Sequence, residues 1–524
     1  MAALSLVVLP TVEPAVAGYV ATALLAVAWN VAYAGRIAKL RRAPGALARL
    51  SGVCGLLIAP AYLTHIAGST LYGGRAVNSV AWLWPLATFL VLAQAAYATG
   101  RRLVTPLVGL PLVAYDALVA LVALSRYLVE HGVEPPAFLL ALSAAQASVL
   151  GTVLGETALV SPFAVLVPLL VPAYPARWRL TRATRALISV AAAFLAGVTV
   201  LELPRATAAI ASYAPYRAER LSERPNGDLA VGLTMLTHLA GPPPALTVRN
   251  DGPLLDSVDI DAVQVRLRPG GLAFTALDSL AGVLDPTRRD STLLVVSLDY
   301  EPGDAARRRA DPGGFDARRL ALVERAARAL RPDVLLPAGA PYGDVADDVG
   351  RLAPAEWEGF LAAAAARAHA VNRRIRVAVA AGDYSAADST VWAWAASRAA
   401  PLDLVGFTVR PSFTGAGGVD ARLRAAERWV RAAEASPNAP GRPKEEWVFD
   451  VRAFPVVHGA ASQEGVVWHT IVWASGRPEI GGVIVGEPGD YTEMTGLRGA
   501  NGRVRRAMDA VRRALRALRE GVAP

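Results

Sequence analysis

The sequence predicts two domains of different class: a multi-pass α-helical membrane domain, followed by an α/β domain built as a (β/α)8 TIM barrel. Three observations predict it. At 524 residues the chain is too long for one ordinary core. Its hydrophobic fraction of 54% is high for a protein of this length in water, and nearly all long uncharged runs precede residue 204. From Asp228 onward, eight short β-like runs alternate with helical patterns. The expected division is a helical membrane domain over 1–204, a polar helix-prone connector over 205–227, and a barrel over 228–524.

In the first domain, apolar spans fall at 15–35, 50–72, 79–99, 103–128, 136–174 and 184–203. Each can cross a hydrocarbon layer of ~30 Å at ~1.5 Å per residue. The fifth is nearly twice the needed length, and is either two crossings or one crossing with a re-entrant piece broken near Gly155 and Pro162. Arg36, Lys39, Arg41, Arg42 and Arg49 mark the first loop as cytoplasmic, and Arg101 and Arg102 the third. Arg177, Arg179, Arg182 and Arg185 join them only if 136–174 makes one net crossing. Six net crossings follow, with the N-terminus and everything after Pro204 outside. Seven would put those four Arg on the wrong side and the barrel in the cytoplasm. MAALSLVVLP lacks a basic stretch before its apolar run, so the first helix is expected to be retained. Asp116 and Glu156 fall inside apolar spans, where an ionisable group is either a buried hydrogen-bonding partner or functional. Trp82, Trp84, Tyr115 and Tyr127 read as interface anchors.

In the second domain the strand-like runs are 229–237, 261–268, 292–299, 333–338, 375–381, 403–409, 447–453 and 481–486. Helical patterns lie between them at 271–284, 316–331, 354–371, 388–400, 419–434 and 462–475, and 502–520 follows the last strand. The first connection, 240–260, is Pro-rich with a short helix. A doubly wound open sheet is the alternative. It needs a phosphate-loop signature after the first strand, which LTHLAGPPP does not provide.

Composition excludes several functions. The net charge of +9 is carried by Arg scattered over helical patterns and membrane borders, with Lys39 and Lys444 the only lysines; no nucleic-acid surface is expected. Cys54 is the single cysteine, so no intrachain disulfide forms. His238, His369, His458 and His469 are isolated, which predicts no metal site, and no cofactor motif is present. A Gly-x-Ser-x-Gly elbow is absent.

Working residues of a barrel sit on the loops that follow its strands. Those ends carry Asp299, Tyr300 and Glu301 (third strand), Tyr342 and Asp344 (fourth), and Asp383 and Tyr384 (fifth). Arg410 and Phe413 follow the sixth, Asp450, Arg452 and Phe454 belong to the seventh, and Glu487, Asp490 and Tyr491 follow the eighth. Carboxylates, Arg and aromatic rings around one mouth suit sugars: aromatic faces stack on the apolar sugar face, and acids accept from hydroxyls. Trp392, Trp394, Trp468 and Trp473 fall on helices and read as helix–barrel packing.

Three stretches carry a family likeness: DLVGFTVRPSF at the sixth strand, EEWVFDVRAFP followed by SQ at the seventh, and GVIVGEPGDYTEMTGLRGANG at the eighth. With them, residues 228–515 resemble the retaining glycoside hydrolases built on (β/α)8 barrels, the clan of cellulase-like and galactanase-like enzymes. The resemblance implies a polysaccharide ligand, a general-acid Glu ending strand four, and a nucleophilic Glu ending strand seven. Retention requires their carboxyls about 5–5.5 Å apart. The sequence departs at both places. Ala340 stands where the acid is expected, and the nucleophile position falls on Val451, with Asp450 one residue away. A one-residue offset along a strand reverses the face. The catalytic candidates are therefore Asp450 with Asp344, or Glu301 with Glu487. Tyr300, Tyr342, Asp383, Tyr384, Arg410, Phe413, Arg452, Asp490 and Tyr491 are candidates for contacting the ligand. Three readings stay open: a catalytically silent barrel that binds glycans, an active glycosidase with relocated acids, and a structural envelope protein or membrane-embedded transferase or transporter with an accessory barrel.

Overall fold

The computed structural model describes residues 14–39, 44–154, 166–173, 179–224, 228–236, 245–268, 274–285, 292–301, 303–412, 417–441, 443–491 and 494–520. The chain divides into two compact units. One holds residues 1–210 with 456–459 and 500–503; the other holds 211–455, 460–499 and 504–524.

The first unit is helical. Its helices are α1 (Pro14–Ala38), α2 (Gly45–Ala67), α3 (Leu71–Val77), α4 (Leu83–Gly100), α5 (Pro106–Glu130), α6 (Ala137–Leu154) and α7 (Arg179–Ser212). Pro106 at the first turn of α5 starts it without losing a needed N–H. Gly55 faces Ala34, so a side chain there would collide with it and α1 and α2 could not pack as closely. Among the described residues, five helices are long and apolar enough to cross a membrane: α1, α2, α4, α5 and α7. The large apolar side chains that remain exposed lie, except Val504, between Leu24 and Leu201.

The span expected over 136–174 resolves into α6 and an extended segment at 166–173, with 155–165 outside the described residues. Pro168 and Pro172 disfavour helix in that segment. Buried extended backbone must have its polar groups satisfied by something else. Here side chains do it. The N–H groups of Leu169, Leu170 and Val171 donate to Asp116 (2.8 Å), Asn30 (2.7 Å) and Gln94 (2.9 Å). The carbonyls of Pro168 and Val171 accept from the Asn30 and Gln94 amides, and that of Val167 accepts from Tyr115. Asp116 is thus a buried hydrogen-bonding residue, while Glu156 lies outside the described residues. Tyr115 and Trp84 are buried inside the unit, which corrects their reading as interface anchors; Trp82 is exposed.

The second unit contains a closed barrel of eight parallel strands in chain order, which excludes the open sheet. They are β1 (Ala230–Thr234), β2 (Ala262–Leu267), β3 (Leu293–Leu298), β4 (Val334–Leu336), β5 (Arg376–Ala381), β6 (Leu404–Val409), β7 (Glu445–Val451) and β8 (Ile480–Val485). Each lies within three residues of its expected ends. The helices are α8 (Ala245–Val258), α9 (Phe274–Leu284), α10 (Asp304–Ala310), α11 (Pro312–Leu330), α12 (Asp344–Val349), α13 (Pro354–Val371), α14 (Ala386–Ala396), α15 (Gly417–Glu434), α16 (Pro455–His458), α17 (Ala460–Ser475) and α18 (Arg506–Glu520).

Alternation along the strands turns Ala262, Val295, Val334, Ala378, Leu404, Trp447, Phe449 and Ile484 into one interior cluster. Trp447 and Phe449 stack with centroids 5.7 Å apart. They fit because Gly482 and Gly406 have no side chain; a Cβ on Gly482 would lie 2.5 Å from the Trp447 ring. The expected connector, 205–227, begins as the end of α7 and then packs on the barrel. Arg224 donates to the Ile480 carbonyl at 2.9 Å, and Ser222 N–H to Ser475 at 2.9 Å.

Candidate functional site

The C-terminal ends of the strands assemble a ring of charge. On β2, alternation places Ala262, Gln264 and Arg266 on the interior face, so Arg266 stands at the top of the barrel. It contacts Asp299, just past β3, at 2.8 Å and Asp344, at the start of α12, at 3.1 Å; Asp450 on β7 is 4.0 Å away. Arg410, just past β6, binds Asp344 and Asp450 together, with its Nε 2.7 Å from Asp450. Arg452 Nε reaches the other Asp450 oxygen at 2.7 Å. Three guanidiniums and three carboxylates therefore meet among the described residues of the mouth.

The network changes how these groups ionise. Burial favours the neutral acid at Asp344 and Asp450, yet the surrounding Arg410, Arg266 and Arg452 outweigh it and hold both carboxyls below their usual range. Asp348, one helical turn beyond Asp344, behaves in the opposite way. Burial pushes its carboxyl up to about 7; Arg268 opposes the rise, while Asp299, Asp344 and Asp304 reinforce it. The mouth thus contains carboxylates fixed as anions beside an acid that holds its proton near neutrality. Asp344 keeps a 44% exposed side chain, against 10% for Asp450 and 1% for Arg452, so the ring opens to solvent at Asp344 and Arg410.

A β-bulge puts Asp450 there and corrects the expectation that its offset turns it to the wrong face. Phe407 pairs with Val448, but Thr408 pairs with Asp450, leaving Phe449 as the extra residue. The bulge shifts the alternation by one. Trp447 and Phe449 point inward below it, Asp450 inward above it, and Val451, paired with Val409 and Val485, belongs to the outward set. Ala340 packs its methyl group against the interior cluster.

The other sequence candidates are held elsewhere. Glu301 pairs with Arg307 at 3.0 Å, and its N–H donates to Asp304, so Glu301–Asp304 closes a local turn around Gly303 at φ +93°. Glu487 is buried, and Asp490 binds Arg505 at 2.6 Å and accepts from Gly496 N–H. Asp383 pairs with Arg351 at 3.0 Å. Tyr300 is buried beneath Arg319, whose guanidinium lies 3.8 Å from the ring centre. The hydroxyls of Tyr342, Tyr384 and Tyr491 donate to Leu352 O, Thr408 O and Asp251. Phe413 lies outside the described residues. Of the sequence candidates, Asp344, Arg410, Asp450 and Arg452 are brought together. Arg266 was missed, although a charged residue on the inward parity of a buried strand was visible in AVQVRL. Asp348 carried no signal apart from its i, i+4 spacing from Asp344.

No family model matches the chain, and no curated protein matches it. Among solved structures it is similar to a GH5_18 protein from Streptomyces cattleya in complex with Manb1-4GlcNAc, with 18% identity and a TM-score of 0.44 over 56% of this chain and 82% of that one. It is similar to Thermotoga maritima Cel5A in complex with mannotriose, with 12% identity and a TM-score of 0.39 over 55% and 98%. A GH53 catalytic domain from Ignisphaera aggregans aligns with 13% identity and a TM-score of 0.35 over 50% and 88%. These likenesses are to barrels of glycoside hydrolases. The barrel fold of this chain stands on its own strand pairing.

Proposed function

We propose that the protein is a membrane-anchored barrel that binds glycans at the cell exterior without cleaving them. The observation that carries this reading is Arg410 bound to both Asp344 and Asp450. A nucleophilic carboxylate must be free to attack an anomeric carbon, and its partner must deliver a proton. Here the two mouth carboxylates share one guanidinium, and Ala340 takes the place of the acid. Fixed donors and acceptors with an exposed edge at Asp344 and Arg410 suit a hydroxyl-rich ligand better than a purely structural plug. Exposed large apolar side chains that lie, Val504 apart, in the helical unit, with five long apolar helices, support anchoring in a bilayer. The Arg distribution of the loops supports an exterior barrel.

A second reading rests on Asp348. A protonated acid one turn from an ionised carboxylate is the pattern of an acid–base pair, and it favours residual hydrolysis. Full-length protein in detergent, titrated with soluble manno-, gluco- and xylo-oligosaccharides, separates the two. Saturable binding lost in Arg410→Ala, with no new reducing ends, supports the glycan-binding reading. Reducing ends that disappear in Asp348→Asn support hydrolysis. No binding and no cleavage sinks both.

A further inference from the structure

A cavity of about 250 Å³ lies outside the barrel wall, between the start of β7, strand β6 and helices α14 and α15. Trp392, Val405, Val430 and Pro440 form apolar walls, and its charged lining is Glu446, Glu434 and Lys444. Glu446 shares the outward parity of Val448 and so faces this space from the strand. It is 5% exposed; its N–H donates to the Glu479 carbonyl at 3.0 Å, while its carboxyl makes no hydrogen bond or ion pair to a described residue. Burial drives its carboxyl up to about 8, helped by Glu479 and Glu434 and opposed by Arg477.

Among the described residues, the nearby cations are committed elsewhere. Lys444 donates to the carbonyls of Ala395 at 2.7 Å and Ala400 at 3.1 Å, and its other charged neighbour is Asp403. Arg477 pairs with Glu427 and lies over the Trp473 ring. A largely buried carboxyl whose oxygens meet only the cavity is stabilised when a cation enters it. Two carboxyls cannot supply the many oxygens that a bare divalent metal demands. Apolar walls beside them fit a cation that carries hydrocarbon.

We propose that this cavity binds a small organic ammonium ion, its charge meeting Glu446 and Glu434 and its apolar body lying between Trp392, Val405 and Val430. The site is formed at the opposite end of the strands from Arg410 and Asp344, and it does not depend on the glycan reading. A bound cation favours the Glu446 carboxylate, so binding releases a proton and tightens as pH rises toward the carboxyl's own value.

Benzylammonium is the probe, titrated calorimetrically into the full-length protein in detergent, in two buffers of different ionisation enthalpy near pH ~7. The expected result is saturable binding with proton release, not reproduced by benzyl alcohol. Glu446→Gln removes the proton release and weakens binding by roughly tenfold or more, and Glu434→Gln, at the exposed rim, weakens it by roughly threefold. Circular dichroism and the unfolding temperature verify that both variants fold. Absence of saturable binding to the wild type, or equal binding and proton release in Glu446→Gln, overturns the proposal.

Discussion

Asp450 stands opposite Thr408, one residue out of step with the pairing of Val448 to Phe407. That single extra residue turns a side chain that belongs to the barrel's outer set into the centre of its mouth. There it meets Arg410 and Arg452 with hydrogen-bond geometry, and Arg266 lies within 4.0 Å. The bulge and the charge network are therefore one feature. Without the first, Asp450 and Arg452 would leave the ring, and Arg410 would lose one of the two carboxylates it bridges.

Removing two members of this ring should cost less than the two single removals added together. Asp450→Ala leaves three guanidiniums short of an anion and is expected to destabilise by about 3–5 kcal/mol. Arg410→Ala should cost a comparable amount, and the double variant less than the sum. A double-mutant cycle by denaturant unfolding in detergent measures the difference, and strict additivity would dissolve the network.

The carboxyls of the mouth respond to pH in opposite directions. Asp450 is depressed in the folded state, so its contribution is present above pH ~4 and is lost as pH falls through its folded value. Asp348 is raised to about 7, so the folded state binds the extra proton and stability declines as pH climbs from ~4 toward 7. Thermal unfolding across pH should therefore show Asp348→Asn gaining on the wild type as pH rises from ~4 to 7, with the difference constant above that. An unchanged difference between the two at all pH values would contradict the assigned shift.

Gly482 makes room for Trp447. Gly482→Ala places a methyl 2.5 Å from the ring and should destabilise the barrel by about 1–3 kcal/mol. Trp447→Leu in the same chain should recover part of that loss. If it worsens the loss instead, the two positions do not share this space.

In the helical unit, Asn30 serves both Leu170 N–H and the Pro168 carbonyl. Asn30→Leu leaves both buried and unpaired, at about 1–3 kcal/mol each. Amide exchange at Leu169, Leu170 and Val171 should accelerate together, because neighbouring side chains hold all three. Faster exchange at Leu170 alone would show that the segment is not one unit.

The period-two runs and the turn residues between them made all eight strands visible in the sequence, because backbone pattern is local. Arg410 and Arg452 were visible as strand-end charges. Their pairing with Asp450 was legible as a candidate buried ion pair, but the inward turn of Asp450 was not, since a bulge at Phe449 is a tertiary choice that VFDVRA does not announce. The fifth apolar span shows the same limit: hydropathy marks 136–174 as nonpolar but cannot separate helix α6 from extended backbone paired to Asn30, Gln94 and Asp116. Asp348 was invisible because its proton is held by burial, which the sequence does not record.

On the proposed function, the mouth holds a glycan and leaves its bonds intact. Native mass spectrometry of the full-length protein in detergent, incubated with a panel of soluble oligosaccharides, tests it most directly. The expected result is protein carrying oligosaccharides of unaltered mass, with occupancy lost in Arg410→Ala. Shortened oligosaccharides in the wild type, absent when Asp344 or Asp348 is changed to Asn, would contradict it.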